Sequence, residues 1–195
     1  MKRFVSHALL AAILLFISGC TIVVPNSSSS SNSNTNSSSG APSGSSSSVT
    51  GKPNWGVQTK TSGCAASGGL QDKACTPGDI LSNATKNEIC QPGYSRNVRN
   101  VPSSEKNKVY AEYGITHHSA GEYEVDHLVS LELGGSNNIS NLWPQPASPK
   151  PGFHEKDKVE NWLHDQVCSG AISLQDAQVQ IATDWLSVYQ RMPSK

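Results

Sequence analysis

Hydrophobic and polar positions divide the chain into stretches of different kind. An unbroken apolar run from Ala8 to Ile17 is followed by an almost wholly polar tract from Asn26 to Thr50. From 51 to 100 apolar residues are scattered among Gly, Ser, Thr and Pro. There Thr76-Pro77-Gly78-Asp79 and Gln91-Pro92-Gly93-Tyr94 read as turns, so an irregular lead-in is expected. Pro102-Ser103-Ser104-Glu105 carries a capping signal for a short helix ending at Gly114, with Val109, Tyr110 and Tyr113 on one side as core. Tyr123 and Val125, then Leu128 and Val129, predict a strand within Tyr123 to Leu133, closed by the turn Gly134-Gly135-Ser136-Asn137. Asn141-Leu142-Trp143-Pro144 predicts a second, short strand stopped by its proline. Val159, Trp162, Leu163 and Val167 recur at helical spacing within Phe153 to Val167, and Gly170 follows. Ser173, with Asp176 three residues on, opens a last helix whose stripe Leu174, Ala177, Ile181, Trp185 and Val188 runs to about Arg191. Trp162 and Trp185 are expected to anchor the packing of these two helices.

The first two stretches belong to export rather than to the fold. Lys2 and Arg3 precede the apolar run, which ends Ile17-Ser18-Gly19-Cys20. A basic start, a short apolar core and small residues form a secretory signal. The run is shorter than the roughly 20 residues a membrane-spanning helix needs. Its end resembles the bacterial lipobox, which implies lipid modification of Cys20 and attachment to a membrane. Thr21 then resembles the sorting signal for the outer membrane of a two-membrane bacterium. The expected location is the cell envelope, at the outer membrane or its periplasmic face. The Ser- and Asn-rich tract has too little apolar surface to order itself. As a flexible tether of about 25 residues it would reach roughly 25 to 30 Å. The expected organisation is a signal over 1–20, a linker over 21–50, the lead-in over 51–89 and a folded domain over 90–195.

Charge narrows the choice of partner only slightly. From Gly51 onward the chain keeps 13 of its 15 Lys and Arg residues and all 15 Asp and Glu, a formal net charge of −2. No bulk positive field draws this segment to nucleic acid, which counts against a tight nonspecific binder but leaves room for a local basic groove. Besides Cys20 there are Cys64, Cys75, Cys90 and Cys168, an even number in an exported domain, so disulfides are expected. No pair has the close spacing typical of a four-cysteine zinc site. Of the three pairings open, Cys64 with Cys75 and Cys90 with Cys168 is favoured, the first closing a local Gly-rich loop and the second stapling the domain entrance to a late helix.

Candidate chemistry concentrates in four segments: Tyr123-Glu124-Val125-Asp126-His127-Leu128, Leu133-Gly134-Gly135-Ser136, Asn141-Leu142-Trp143-Pro144 and His154-Glu155-Lys156-Asp157-Lys158. In them the chain resembles the HNH, or ββα-metal, nuclease family, with His127, Asn141 and His154 as the three lettered positions on a first strand, a second strand and a following helix. The likeness runs from about Cys90 to Tyr189. It lacks the zinc-knuckle cysteines that many HNH enzymes carry beside the hairpin, and the expectation is that disulfides staple the domain instead.

The resemblance implies an α+β fold, a small disulfide-stapled domain with a ββα-metal core and an additional C-terminal helix. It implies metal-dependent hydrolysis of nucleic acid, DNA favoured. An imidazole suits the base that activates water because it titrates near neutrality, and His127 takes that role. Asp126 and His154, with Asp157 one turn further on, are the implied ligands of a divalent ion, Mg²⁺ or Mn²⁺ favoured, with Ni²⁺ or Zn²⁺ also fitting. Neighbouring strand residues point to opposite faces, so the resemblance further implies a distorted hairpin that lets Asp126 meet the metal while His127 addresses the water. Asn141 is expected to fix the backbone behind His127. Arg99 and Lys158, with Arg96 and Lys156, are candidate phosphate contacts. His117 and His118 are expected as exposed loop residues and His164 as structural. The competing reading is a noncatalytic envelope lipoprotein using the same scaffold as an interaction module.

Overall fold

The computed structural model of the protein describes residues 52–193; the signal run, Cys20 and the polar tract lie outside the described residues. Three short helices, α1 (Lys86–Ile89), α2 (Tyr94–Val98) and α3 (Ser103–Glu112), precede strand β1 (Tyr123–His127). Two 3₁₀ turns, Leu131–Leu133 and Ile139–Asn141, lead into β2 (Leu142–Pro146), followed by the long helices α4 (Phe153–Ser169) and α5 (Leu174–Arg191). Among the described residues the architecture is α+β, with one two-stranded antiparallel sheet.

The register runs from Tyr123 opposite Pro146 to His127 opposite Leu142 without a bulge. Side chains alternate along a strand, so Glu124 and Asp126 share a face with Gln145 and Trp143, while Val125 and His127 share the other with Pro144 and Leu142. The first face lies against α4: Trp143 is fully buried in the main core with Val159 and Leu163. On the second face, Val125 and Leu142 pack on Val109 of α3.

The strands differ from the sequence expectation for identifiable reasons. β1 ends at His127, and just beyond it the side chain of Asn141 takes both the N–H and the C=O of Val129, binding this residue into the inter-strand loop rather than into a longer strand. Leu128 and Val129 turn into the core instead. Asn141 is the last residue of a 3₁₀ turn rather than part of β2. Pro144 does not stop β2: the bonds Leu128 N–H to Asn141 O (2.7 Å) and Ala147 N–H to Glu122 O (2.9 Å) show that odd-numbered residues face β1, so the nitrogens of Pro144 and Pro146 point away from the ladder.

The short helices α1, opened by a Thr85–Glu88 capping box, and α2 stand where an irregular lead-in was expected, whereas the later helices follow their sequence signals more closely. Glu155 accepts from the Gly152 N–H at 2.9 Å at the start of α4, and Gly170 ends the helix at φ 85°. Ser173 Oγ accepts from the Asp176 N–H at 3.0 Å at the start of α5. α3, by contrast, begins after Pro102 with no side-chain cap. The backbone of α5 is kinked at Asp184, which is extended and caps the second half by accepting from the Ser187 N–H at 3.0 Å. Trp185 is fully buried; Trp162 is only partly so.

Disulfides join Cys64 to Cys75 and Cys90 to Cys168, the favoured pairing. The lead-in is part of the same compact unit as the hairpin. Gly78 N–H donates to Ser140 O (3.0 Å), Leu81 N–H to Gly134 O (2.9 Å) and Ser136 N–H to Asp79 O (3.1 Å), so this segment lines the loop between the strands. Among the described residues no helix is long and apolar enough to cross a membrane.

Candidate active site at the hairpin

The loop joining the strands is built around Asn141. Its amide is fully buried and satisfied at both ends: Oδ1 accepts from Val129 N–H (2.9 Å) and Asp79 N–H (3.2 Å), and Nδ2 donates to Val129 O (3.0 Å) and Ser136 O (2.8 Å). The double glycine permits this closure. Gly134 adopts φ 73°, and a Cβ on Gly135 would stand 1.8 Å from Val129 O. Asp79 adds a carboxylate that accepts from Ser136 Oγ (2.7 Å) and from Asn138 Nδ2. One side chain thus ties the chain two residues beyond His127 to the loop and to the lead-in.

His127 closes β1 and is 3% exposed. Its Nε2 lies 3.2 Å from Asn137 Oδ1. The other bonds of that amide fix which end is which: Oδ1 accepts from Asn100 N–H (3.1 Å) and Nδ2 donates to Val98 O (2.8 Å). With an acceptor held against it, Nε2 must carry the proton, which leaves the lone pair on Nδ1. Burial pushes the His127 pKa down to about 4, against the opposing pull of the Asp126 carboxylate and the Asn137 bond. At neutral pH the ring is therefore an uncharged base of defined tautomer.

Asp126 points the other way, to α4, where Lys156 is fully buried. The Lys156 ammonium donates to Asp126 Oδ2 (2.7 Å), to the backbone oxygen of His127 (2.7 Å) and to Glu160 Oε1. An ammonium has three protons, and all three are used. Burial opposes the charge on Lys156, but the two carboxylates outweigh it and hold its pKa above the ordinary lysine value. Carboxylates crowd around this cation. Burial, then the charges of Asp126 and Asp157, raises Glu124; burial, then Asp126, raises Asp157.

The residues expected to hold a divalent ion do not converge. His154 and Asp157 are exposed on the first turn of α4, His154 packs its ring 4.3 Å from that of Phe153, and Asp126 is engaged by Lys156. The hairpin is not distorted so as to turn Asp126 and His127 to one side. Among the described residues the group of three ligand types that does come within mutual reach, all within 4.8 Å, is Cys90, His164 and Cys168. This Cys-His-Cys group can bind a metal ion. Its sulfurs are joined in a disulfide, and thiolate ligation requires that bond to open. His164 sits 3.1 Å from Ile89 O, a structural placement.

The candidate phosphate contacts separate cleanly. Arg99 is exposed at the end of α2, near enough for its charge to lower the pKa of both His127 and Glu124. Arg96 is exposed on α2, and Lys158 lies 3.7 Å from Glu155 on the outer side of α4. Lys156 cannot meet a phosphate, being inside the protein with every proton engaged. His117 and His118 are exposed, the latter with its ring 4.5 Å from that of Tyr110.

No family model, curated protein or solved structure matches the chain. The site is therefore read from its own geometry. Three of its members were not anticipated in their roles: Asn137 and Asp79 stood out only as turn residues, and Glu160 not at all.

Proposed function

We propose that the chain hydrolyses phosphodiester bonds of nucleic acid, DNA favoured, at the bacterial cell envelope to which lipidated Cys20 holds it. The observation that carries this reading is the buried, tautomer-locked imidazole of His127 beside the exposed guanidinium of Arg99. Nδ1 of His127 takes a proton from the attacking water as the water oxygen bonds to phosphorus, and solvent protonates the leaving alkoxide. Arg99 offsets charge on the phosphate oxygens, for which its planar fork of donors is suited. Asn137 holds the ring and Asn141 the loop behind it. Asp126, His154 and Asp157 do not fit a metal centre as they stand, so no step is routed through one.

The second reading, an interaction module on an HNH-like scaffold, is favoured by the small exposure of His127 and by the engagement of Asp126. Incubating the full-length chain with supercoiled plasmid, single-stranded DNA and RNA, with each of Mg²⁺, Mn²⁺, Ni²⁺ and Zn²⁺ and with chelator, separates the two. Cleavage supports the hydrolase. Intact substrates under every condition, with the protein folded, support the module.

A further inference from the structure

We propose that the Lys156 ammonium is the resident cation of this hairpin, standing beside Asp126 where a divalent ion would otherwise bind. Three observations converge. Lys156 is fully buried at a position that continues the inward stripe of α4 through Val159 and Leu163, so its charge is placed there by the fold rather than by chance on a surface. Its partners are two carboxylate oxygens and a backbone carbonyl, an all-oxygen set of the kind that binds hard cations. One of those partners is the carbonyl of His127, so the same ammonium also fixes the backbone that carries the base.

Two consequences follow. One oxygen of Asp126 is engaged by the ammonium, and an incoming ion meets a positive charge already 2.7 Å from that oxygen. Lys156 is thereby a positioning residue: it joins the end of β1 to α4 and holds Asp126 and the His127 carbonyl at fixed places, without touching substrate. The site differs in this from a metal centre, in which ligands keep open positions for water and phosphate. The inference goes beyond the nuclease reading, because it concerns cation occupancy in the absence of substrate.

The test uses Mn²⁺ alone as the probe. In the full-length, ¹⁵N-labelled chain, equimolar Mn²⁺ is expected to leave the amide signals of Val125 to Leu128 and Lys156 to Glu160 unbroadened; selective loss of both sets would overturn the proposal. In a second arm, Lys156→Ala frees Asp126, Glu160 and the His127 carbonyl, and is expected to gain Mn²⁺ affinity at least tenfold, with the gain abolished by adding Asp126→Asn. A folded Lys156→Ala protein that gains nothing also contradicts the proposal. If that variant fails to fold, the wild-type spectrum decides by itself. Absence of nuclease activity changes none of these readouts.

Discussion

Asn137 presents its side-chain oxygen to Nε2 of His127 at 3.2 Å, and the other bonds of the same amide leave it no freedom to present its nitrogen instead. This relationship makes His127 a base on Nδ1. Asn137→Asp keeps the acceptor but places a negative charge against the ring, which favours the imidazolium form. The acidic limb of the pH–rate profile is expected to move to higher pH in this variant. A merely structural role for Asn137 predicts lower stability with an unmoved limb, so the two are told apart by the profile itself.

The depressed pKa of His127 also makes stability depend on pH. The unfolded chain binds a proton near pH 6.5, while the folded protein resists it until about pH 4. Between these values the unfolded state carries more protons, so stability is full above pH 6.5 and is lost as the pH falls toward 4, by at most about 3 kcal/mol. Urea unfolding at pH 7.5 and pH 4.5 measures this. The wild type should lose more stability across the interval than His127→Gln, which has nothing to titrate there.

Of the four cations expected from the sequence to contact phosphate, Arg99 and the buried Lys156 act on His127 through their charge, and of these two Arg99 is the exposed one. Arg99→Ala should weaken substrate binding several-fold and reduce the salt dependence of binding by about one phosphate contact. Lys158→Ala should change neither, since its side chain extends along α4 beside Glu155. Fluorescence anisotropy with a labelled oligonucleotide over a salt series reads both.

The long helices α4 and α5 and the disulfide pairing were legible in the sequence because their signals are local: a glycine after α4, Ser173 with Asp176, and cysteines whose spacing favours one local and one long bridge; the short α1 and α2 were not, each being a single turn or little more within a Gly- and Pro-rich segment. The hairpin was legible in outline and mistaken in detail. Beyond its first strand, Asn141 captures the backbone of Val129 from twelve residues away, and no local pattern contains that bond. Pro144 reads as a stop only until it is known which edge of β2 is paired. Lys156 was the most informative residue misread. It lies three residues before Val159 and seven before Leu163, on the apolar stripe, with Glu160 four residues on, and a charged pair on a buried stripe signals an internal ion pair rather than a surface contact. The lead-in gave no sign of its part in the site because Asp79 acts through the fold, bonding to Ser136 and Asn138.

The two disulfides should not contribute equally. Cys64–Cys75 spans 11 residues and Cys90–Cys168 spans 78. In the chain-entropy treatment these loops correspond to roughly 2.8 and 4.5 kcal/mol. Replacing both cysteines of a pair with alanine and measuring urea midpoints is expected to show the larger loss for Cys90 and Cys168.

The central claim is that His127 is the base of a phosphodiesterase, and the ratio of plasmid cleavage rates for the full-length chain and its His127→Ala variant tests it most directly. General base catalysis contributes about a hundredfold to ten-thousandfold, so the variant is expected to be slower by at least a hundredfold while remaining folded. Equal rates in the two proteins would contradict the claim.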